Sequence, residues 1–474
     1  MKAIDTNIEQ LYSGEYGDKF YIIDKNNNYI FPKYNTYNLP TIKDSSYYKE
    51  YKKYLNKQKD YNIKLKYEPK EHQLEAIKFI DNSKDNDILI SASTGFGKTY
   101  CAINHISKSK NRYMIVCDRT VLIEQWIKSI TEFTDIKEDE IGIIQQKYLT
   151  KTNIERYKTK CKIFIASIKT LSSRLLNEPK RSQLLDLLIK DFNITGIIID
   201  EAHLKLHSLF LLTTIIPTNK IIFLTATPRR TFSNENRILN EIIPINDTDK
   251  CYEYKESDIN VKHIIFTINS KLTNNQIRYI NKIPPNLNFM PYNKHAYFRV
   301  IYSKDKFPFI YDTYIRKVLD LAEEAIGRNN LNIMITNENI APLEKIKEKI
   351  IERYSDKKII LYYGDFKDKI SINKEEDNFI ILATNKNITA GFDMINLNLL
   401  INLDVSSNRT NLEQLIGRLR RKSNFKKDGI IQKYYVAFKD ISHNKVTRTI
   451  DKQIENINNY LLKDGDTIEE VSLF

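Results

Sequence analysis

A chain of 474 residues, 41% of them hydrophobic and 28% charged, is long enough for about three domains of roughly 150 residues, which excludes a peptide, a disulfide-stapled miniprotein and wholesale disorder. Lysine and arginine number 74 against 60 acidic residues, a formal charge of +14, so a polyanion is the favoured class of partner. The cysteines Cys101, Cys117, Cys161 and Cys251 form no close pair, no run nears the ~18 apolar residues of a membrane span and the N-terminus lacks an apolar leader, all of which points to an intracellular, reducing compartment.

Residues 1–66 are crowded with Tyr, Lys and Asn, carry a strand-like piece at 20–24 and show no chemical motif, and they read as a small N-terminal accessory domain. From Tyr67 the pattern changes to short apolar runs at 87–91, 113–117, 162–166, 196–200 and 220–225, alternating with helical segments. That alternation predicts βαβ units and a parallel sheet over residues 67–250. Residues 251–307, broken by Pro284, Pro285 and Pro291 and running up to Pro308, read as a connector or insertion. A second series then predicts strands at 332–336, 358–363, 378–384 and 398–404, with helices at 311–329 and 341–355. The fold class expected is α/β, with two tandem parallel-sheet domains, the second spanning 308–474.

The first predicted strand runs into Ala92-Ser93-Thr94-Gly95-Phe96-Gly97-Lys98-Thr99, followed by a helix-compatible stretch. This is a phosphate-binding loop in its strand-loop-helix context, although Ala92 stands where the general pattern has Gly. Successive backbone N–H groups from Ser93 to Gly97 form an anion cradle, Lys98 reaches the β- and γ-phosphates of ATP, and the Thr99 hydroxyl takes a place on Mg²⁺. About a hundred residues on, an apolar strand ends in Asp200-Glu201-Ala202-His203. Ligands of open α/β sheets bind outside the carboxyl ends of the strands, which puts these acids beside Lys98. Asp200 is then expected to hold Mg²⁺, and Glu201 to position and deprotonate the attacking water. His203 is expected to link this site to Thr225 and Thr227, which follow the next apolar strand.

With these motifs in place, the chain resembles a superfamily 2 helicase of the DEAH-box type over residues 67–440. Ala383 to Asp393 is similar to that family's motif V, and Gln414-Leu415-Ile416-Gly417-Arg418-Leu419-Arg420-Arg421 matches its Q-x-x-G-R-x-x-R motif VI. The resemblance implies two RecA-like domains, with Gly391, Asp393 and Gln414 at the nucleotide. It makes Arg418 and Arg421 catalytic cations, with Arg421 as the arginine finger, a device worth roughly 10³ to 10⁵ in rate. Gln73, in Glu71-His72-Gln73, takes the place of the adenine-reading glutamine. Nucleic-acid contacts are implied for Arg119, Gln125 and Trp126, for Ser167 and Thr170, and for Thr336 and Thr384. Asp118-Arg119-Thr120 stands where the family usually has a Pro-Thr-Lys-like start.

The G-F-G-K-T loop, the F-L-T-A-T-P-R run at 223–229 and E-Q-L-I-G-R at 413–418 look most like the poxvirus transcript-release DNA helicases, with large-DNA-virus, phage and XPB-like helicases as neighbouring groups. That resemblance implies a 3′-to-5′ DNA translocase acting in viral transcription termination, with RNA polymerase or transcription factors as partners, in the cytoplasm or packaged in virions. The alternatives are an RNA helicase acting on RNA or a DNA–RNA hybrid, a repair or recombination helicase, and a non-catalytic nucleic-acid-binding scaffold.

Overall fold

Ile-rich runs with both faces apolar form strands buried on both sides, and helices cover the sheets they build. The computed structural model describes residues 11–13, 18–24, 26–56, 61–83, 86–93, 95–226, 233–243, 251–252, 259–284, 291–363, 366–367, 378–388, 396–420 and 431–473. The chain divides into two units, Met1–Tyr254 and Lys255–Phe474. Both are α/β with largely parallel sheets, as the alternation of strands and helices predicts.

The sheet of the first unit has seven strands, in the order Ile141–Ile144, Ile163–Ser167, Arg112–Cys117, Ile194–Ile199, Lys220–Thr225, Asp87–Ala92, Cys251–Tyr252, all paired in parallel. Asp87–Ala92 and Ile194–Ile199 are buried along their whole length. Their carboxyl ends, together with that of Lys220–Thr225 between them, release the loops carrying the P-loop, the acidic motif and Thr225.

The expected accessory piece packs into this same unit. A two-stranded antiparallel hairpin, Ile22–Ile23 with Tyr29–Ile30, precedes the helix Ser46–Leu55. Tyr12, Phe20, Ile30, Tyr47, Tyr51 and Leu55 are buried in one core with Leu89, Leu184 and Phe210. Lys33 Nζ and Tyr34 Oη donate to Asp87 Oδ2 at 2.7 and 2.8 Å, and Tyr51 Oη donates to Asp186 at 2.6 Å. Much of the tyrosine richness is therefore spent on this seam.

The second sheet runs Phe366–Lys367, Lys358–Tyr363, Phe379–Thr384, Ile333–Asn337, Leu399–Asn402, Ile431–Asp440, Ile259–Ile268, Thr467–Ser472; only the first pair is antiparallel. The expected connector thus supplies an interior strand. Ile259–Ile268 pairs over its whole length with Ile431–Asp440. Lys262 falls on the half-buried side of its alternating pattern, and the buried His263 next to it breaks that pattern in sequence, which hides the strand among polar residues. Among the described residues no helix is long and apolar enough to cross a membrane.

Candidate active site

The P-loop turns at two glycines with φ of +92°, Gly95 and Gly97, and Gly97 caps the helix Lys98–Lys108 in a left-handed conformation. A side chain at Gly97 would be strained by that φ, and its Cβ would fall 2.2 Å from Gln73 Nε2. The loop therefore keeps its backbone open at a helix N-terminus, where N–H groups and the helix dipole favour an anion. Lys98 Nζ donates to the carbonyls of Ala92 and Ser93 at 2.7 and 3.3 Å, so its charge lies over the loop. Thr99 is half-buried in the first turn. Thr94 lies outside the described residues.

Behind the loop, Phe96 is buried between His72 and Tyr252, with ring centroids 5.3 and 5.7 Å away. Its carbonyl accepts from Gln73 Nε2 at 3.2 Å and faces His72 Nε2 at 3.0 Å, while Gln73 Oε1 accepts from the Lys70 N–H at 3.0 Å. Gln73, expected at the adenine, is here a buried brace of the P-loop. His72 is a brace that sequence reasoning passed over, and its adjacency to Gln73 was the available signal.

The acidic motif is held from three sides. The Asp200 N–H donates to the Val116 carbonyl at 3.1 Å, the Glu201 N–H to Asp200 Oδ1 at 3.0 Å, and Trp126 Nε1 to Asp200 Oδ2 at 2.8 Å. Burial raises the Asp200 carboxyl above its ordinary range and the Glu201 carboxylate adds to this, against the Trp126 N–H and the Lys98 charge. Glu201 has φ of +50°, a left-handed conformation costing a non-glycine residue roughly 1–2 kcal/mol. His203 is buried, with Nδ1 2.8 Å from Thr225 Oγ1 and 3.4 Å from Glu201 Oε2. The structure thus brings Glu201, His203 and Thr225 together. Thr227 lies outside the described residues.

A half-buried carboxylate, near a lysine and a phosphate cradle, suits a divalent cation bound together with phosphate oxygens. Among the described residues no three His, Cys, Asp or Glu side chains gather as a metal cage. The donors that fit Mg²⁺ are the single oxygens of Asp200 and Thr99, with the remaining positions left to phosphate and water.

The expected nucleic-acid residues divide by exposure. Arg119, whose Nε is 3.7 Å from Asp118, and Gln125, Ser167 and Thr170 are half-buried at or near loops. Trp126 is not on the surface: it is 2% exposed, on the buried face of the helix Thr120–Phe133 with Leu122, Ile123 and Ile130. Helical spacing turns that face to the sheet, which places the indole against Asp200.

In the second unit, Thr336 is fully buried and donates to Asn402 Oδ1 at 3.2 Å, and Thr384 is buried at the end of its strand, so neither is presented at a surface. Gln414 and Arg418 are buried on the helix Arg409–Leu419, and Arg418 Nη2 donates to the Ile388 carbonyl at 3.0 Å. Gly391, Asp393 and Arg421 lie outside the described residues. Sequence reasoning passed over Lys294, whose Nζ sits 2.5 Å from Asp404 Oδ1 and also pairs with Glu338.

Residues 66–230 match the family model described as Type III restriction enzyme, res subunit. Transcript termination protein A18 of Yaba-like disease virus is 27% identical over 375 residues, covering 75% of this chain and 69% of that protein. The putative helicase 161L of Invertebrate iridescent virus 6 is 28% identical over 226 residues, covering 46% of this chain and 45% of that one. Among solved structures, Mss116p bound to ssRNA and AMP-PNP overlays with a TM-score of 0.55 at 16% identity, over 85% of this chain and 74% of that one, a likeness of tandem RecA-like fold.

Proposed function

We propose that the chain is an ATP-dependent helicase of superfamily 2 that works as a DNA translocase, moving 3′ to 5′, and releases transcripts from stalled transcription complexes. The observation that carries the reading is the cluster at the carboxyl ends of three adjacent parallel strands: the Lys98 loop, the Asp200–Glu201 pair, and Thr225 bonded to His203.

In this reading the loop N–H groups and Lys98 bind the ATP phosphates, with Lys98 exchanging its contacts to Ala92 and Ser93 for phosphate oxygens. Thr99 and Asp200 hold Mg²⁺, which when bound neutralises phosphate charge. Glu201 Oε2 orients the attacking water and takes its proton, and its left-handed backbone aims that carboxylate. His203, between Glu201 and Thr225, relays the state of the site to the strand end of Lys220–Thr225. Arg418 and Arg421 add positive charge at the γ-phosphate during transfer, Arg421 as the finger.

Support for DNA and transcript release comes from the +14 charge and from the likeness to a relative named as a transcript termination protein. We place the activity in a reducing cytoplasm, which suits the buried free thiols of Cys101, Cys117 and Cys161. The test is ATP turnover with matched single-stranded DNA, duplex DNA and RNA at fixed salt. Stimulation by DNA is expected; stimulation by RNA alone makes the chain an RNA helicase, and no turnover with any of them makes it a scaffold.

A further inference from the structure

The chain has a single tryptophan, and its indole is spent on the acidic motif. The indole N–H is a donor only. At 2.8 Å it takes Asp200 Oδ2, while the Glu201 N–H takes Oδ1, so the plane of the carboxylate is fixed from both oxygens. The Asp200 backbone N–H in turn donates to Val116, in the strand Arg112–Cys117. That strand passes through Asp118 and Arg119 directly into the helix Thr120–Phe133, which carries Trp126. Backbone and side chain of Asp200 are thus both held by one continuous strand-loop-helix piece. Trp126 is 2% exposed on the helix face that also buries Leu122, Ile123 and Ile130, so a shift of the helix carries the indole with it.

We propose that Trp126 is a positioning residue that couples the Asp118–Arg119 loop to Asp200, so that nucleic acid bound at the start of this helix changes how Asp200 holds its cation. The proposal rests on the reading of Asp200 as a cation ligand and of Arg119 as a nucleic-acid contact. Partners that orient a metal-binding carboxylate typically contribute about 10- to 100-fold to metal affinity or activity. Packing alone needs only an aromatic ring at this position. Coupling needs the N–H, and Trp126→Phe separates the two.

In this 474-residue chain all tryptophan emission comes from this one indole. Titrating Mg²⁺ in the presence of AMP-PNP is expected to shift that emission in the wild type, and Asp200→Asn is expected to abolish the shift. In Trp126→Phe, half-saturating Mg²⁺ for ATP turnover should rise about tenfold, and the ratio of nucleic-acid-stimulated to basal turnover should fall about tenfold, with the melting temperature nearly unchanged. Wild-type Mg²⁺ dependence and stimulation in a folded Trp126→Phe would overturn the proposal. If that variant fails to fold, an emission that ignores Mg²⁺ and AMP-PNP in the wild type overturns it instead. Lys98→Ala keeps the two readings apart. If it retains turnover, the nucleotide site itself is wrongly assigned; if it is inactive while Trp126→Phe behaves as wild type, only the coupling fails.

Discussion

Lys294 Nζ stands 2.5 Å from Asp404 Oδ1, the carboxylate buried and the lysine side chain 11% exposed, and Asn385 Nδ2 donates to the other carboxylate oxygen at 3.0 Å. Burial pulls the Lys294 ammonium down, but Asp404 and Glu338 outweigh it and hold it above its ordinary value. Burial raises the Asp404 carboxyl, offset only in part by Lys294. The pair ties the helix Lys294–Ile301 to the end of the strand Leu399–Asn402 and to the motif V helix Asn385–Ile388, whose last carbonyl receives Arg418. Removing one member leaves a buried charge alone, so Lys294→Met should destabilise the second unit by about 3–5 kcal/mol in chemical denaturation. Adding Asp404→Leu should recover part of that. A loss below about 1 kcal/mol in the single variant would show that the buried Asp404 carboxylate does not depend on Lys294.

At the nucleotide site, Lys98→Ala should abolish ATP turnover and leave the melting temperature close to wild type, because Lys98 is half-buried and its bonds to the Ala92 and Ser93 carbonyls lie on the loop surface that faces phosphate. Glu201→Gln should still bind ATP and hydrolyse it at least 100-fold more slowly, since general-base catalysis contributes about 10²- to 10⁴-fold. Equilibrium binding of a labelled nucleotide beside turnover separates the two. Rapid hydrolysis by Glu201→Gln would remove Glu201 from its role.

The two motif VI arginines should behave differently. Arg418→Ala deprives the Ile388 carbonyl of its donor and empties a buried volume, so it should lower stability as well as turnover. Arg421→Ala should spare fold and ATP binding and reduce stimulated hydrolysis by about 10³-fold or more. Thermal melts read beside turnover decide this; weakened ATP binding with an unchanged rate in Arg421→Ala would reverse the assignment.

His263, buried in the interior strand Ile259–Ile268, has its pKa lowered from 6.5 to about 4, first by burial and then by Arg420, with Asp466 opposing. It is therefore neutral when folded and takes up a proton on unfolding below pH 6.5. The unfolded state then binds more protons, so stability falls as pH drops from 6.5 toward 4. By pH 5 this one group should cost about 2 kcal/mol. Denaturation at pH 7 and pH 5 should show the drop, and His263→Leu should shrink it; an identical drop in both proteins would assign it elsewhere.

The parts that were readable in the sequence are those whose chemistry is local in the chain. Gly95, Gly97 and Lys98 sit together because one turn into one helix requires them, and Asp200 and Glu201 follow the strand that carries them. What escaped depends on distant partners. Nothing near Tyr51 in sequence names Asp186, and nothing near Lys294 names Glu338 or Asp404, so the N-terminal seam and the buried pair were invisible. Trp126, expected to contact nucleic acid, is buried, and the E-Q-W pattern carries no information about which way the helix faces. The spacing of Leu122, Ile123, Trp126 and Ile130 did carry it. The strand Ile259–Ile268 was lost because Lys262 and His263 break its apolar run.

The central claim is that ATP hydrolysis at the Lys98–Glu201 site drives movement along DNA to release transcript. The most direct measurement is release of labelled RNA from a polymerase stalled on a DNA template, with wild type and Glu201→Gln compared at fixed salt and with ATP or AMP-PNP. ATP-dependent release by the wild type, absent with AMP-PNP and with Glu201→Gln, is the expected result. Release that proceeds equally without hydrolysis, or DNA-stimulated turnover with no release at all, would contradict it.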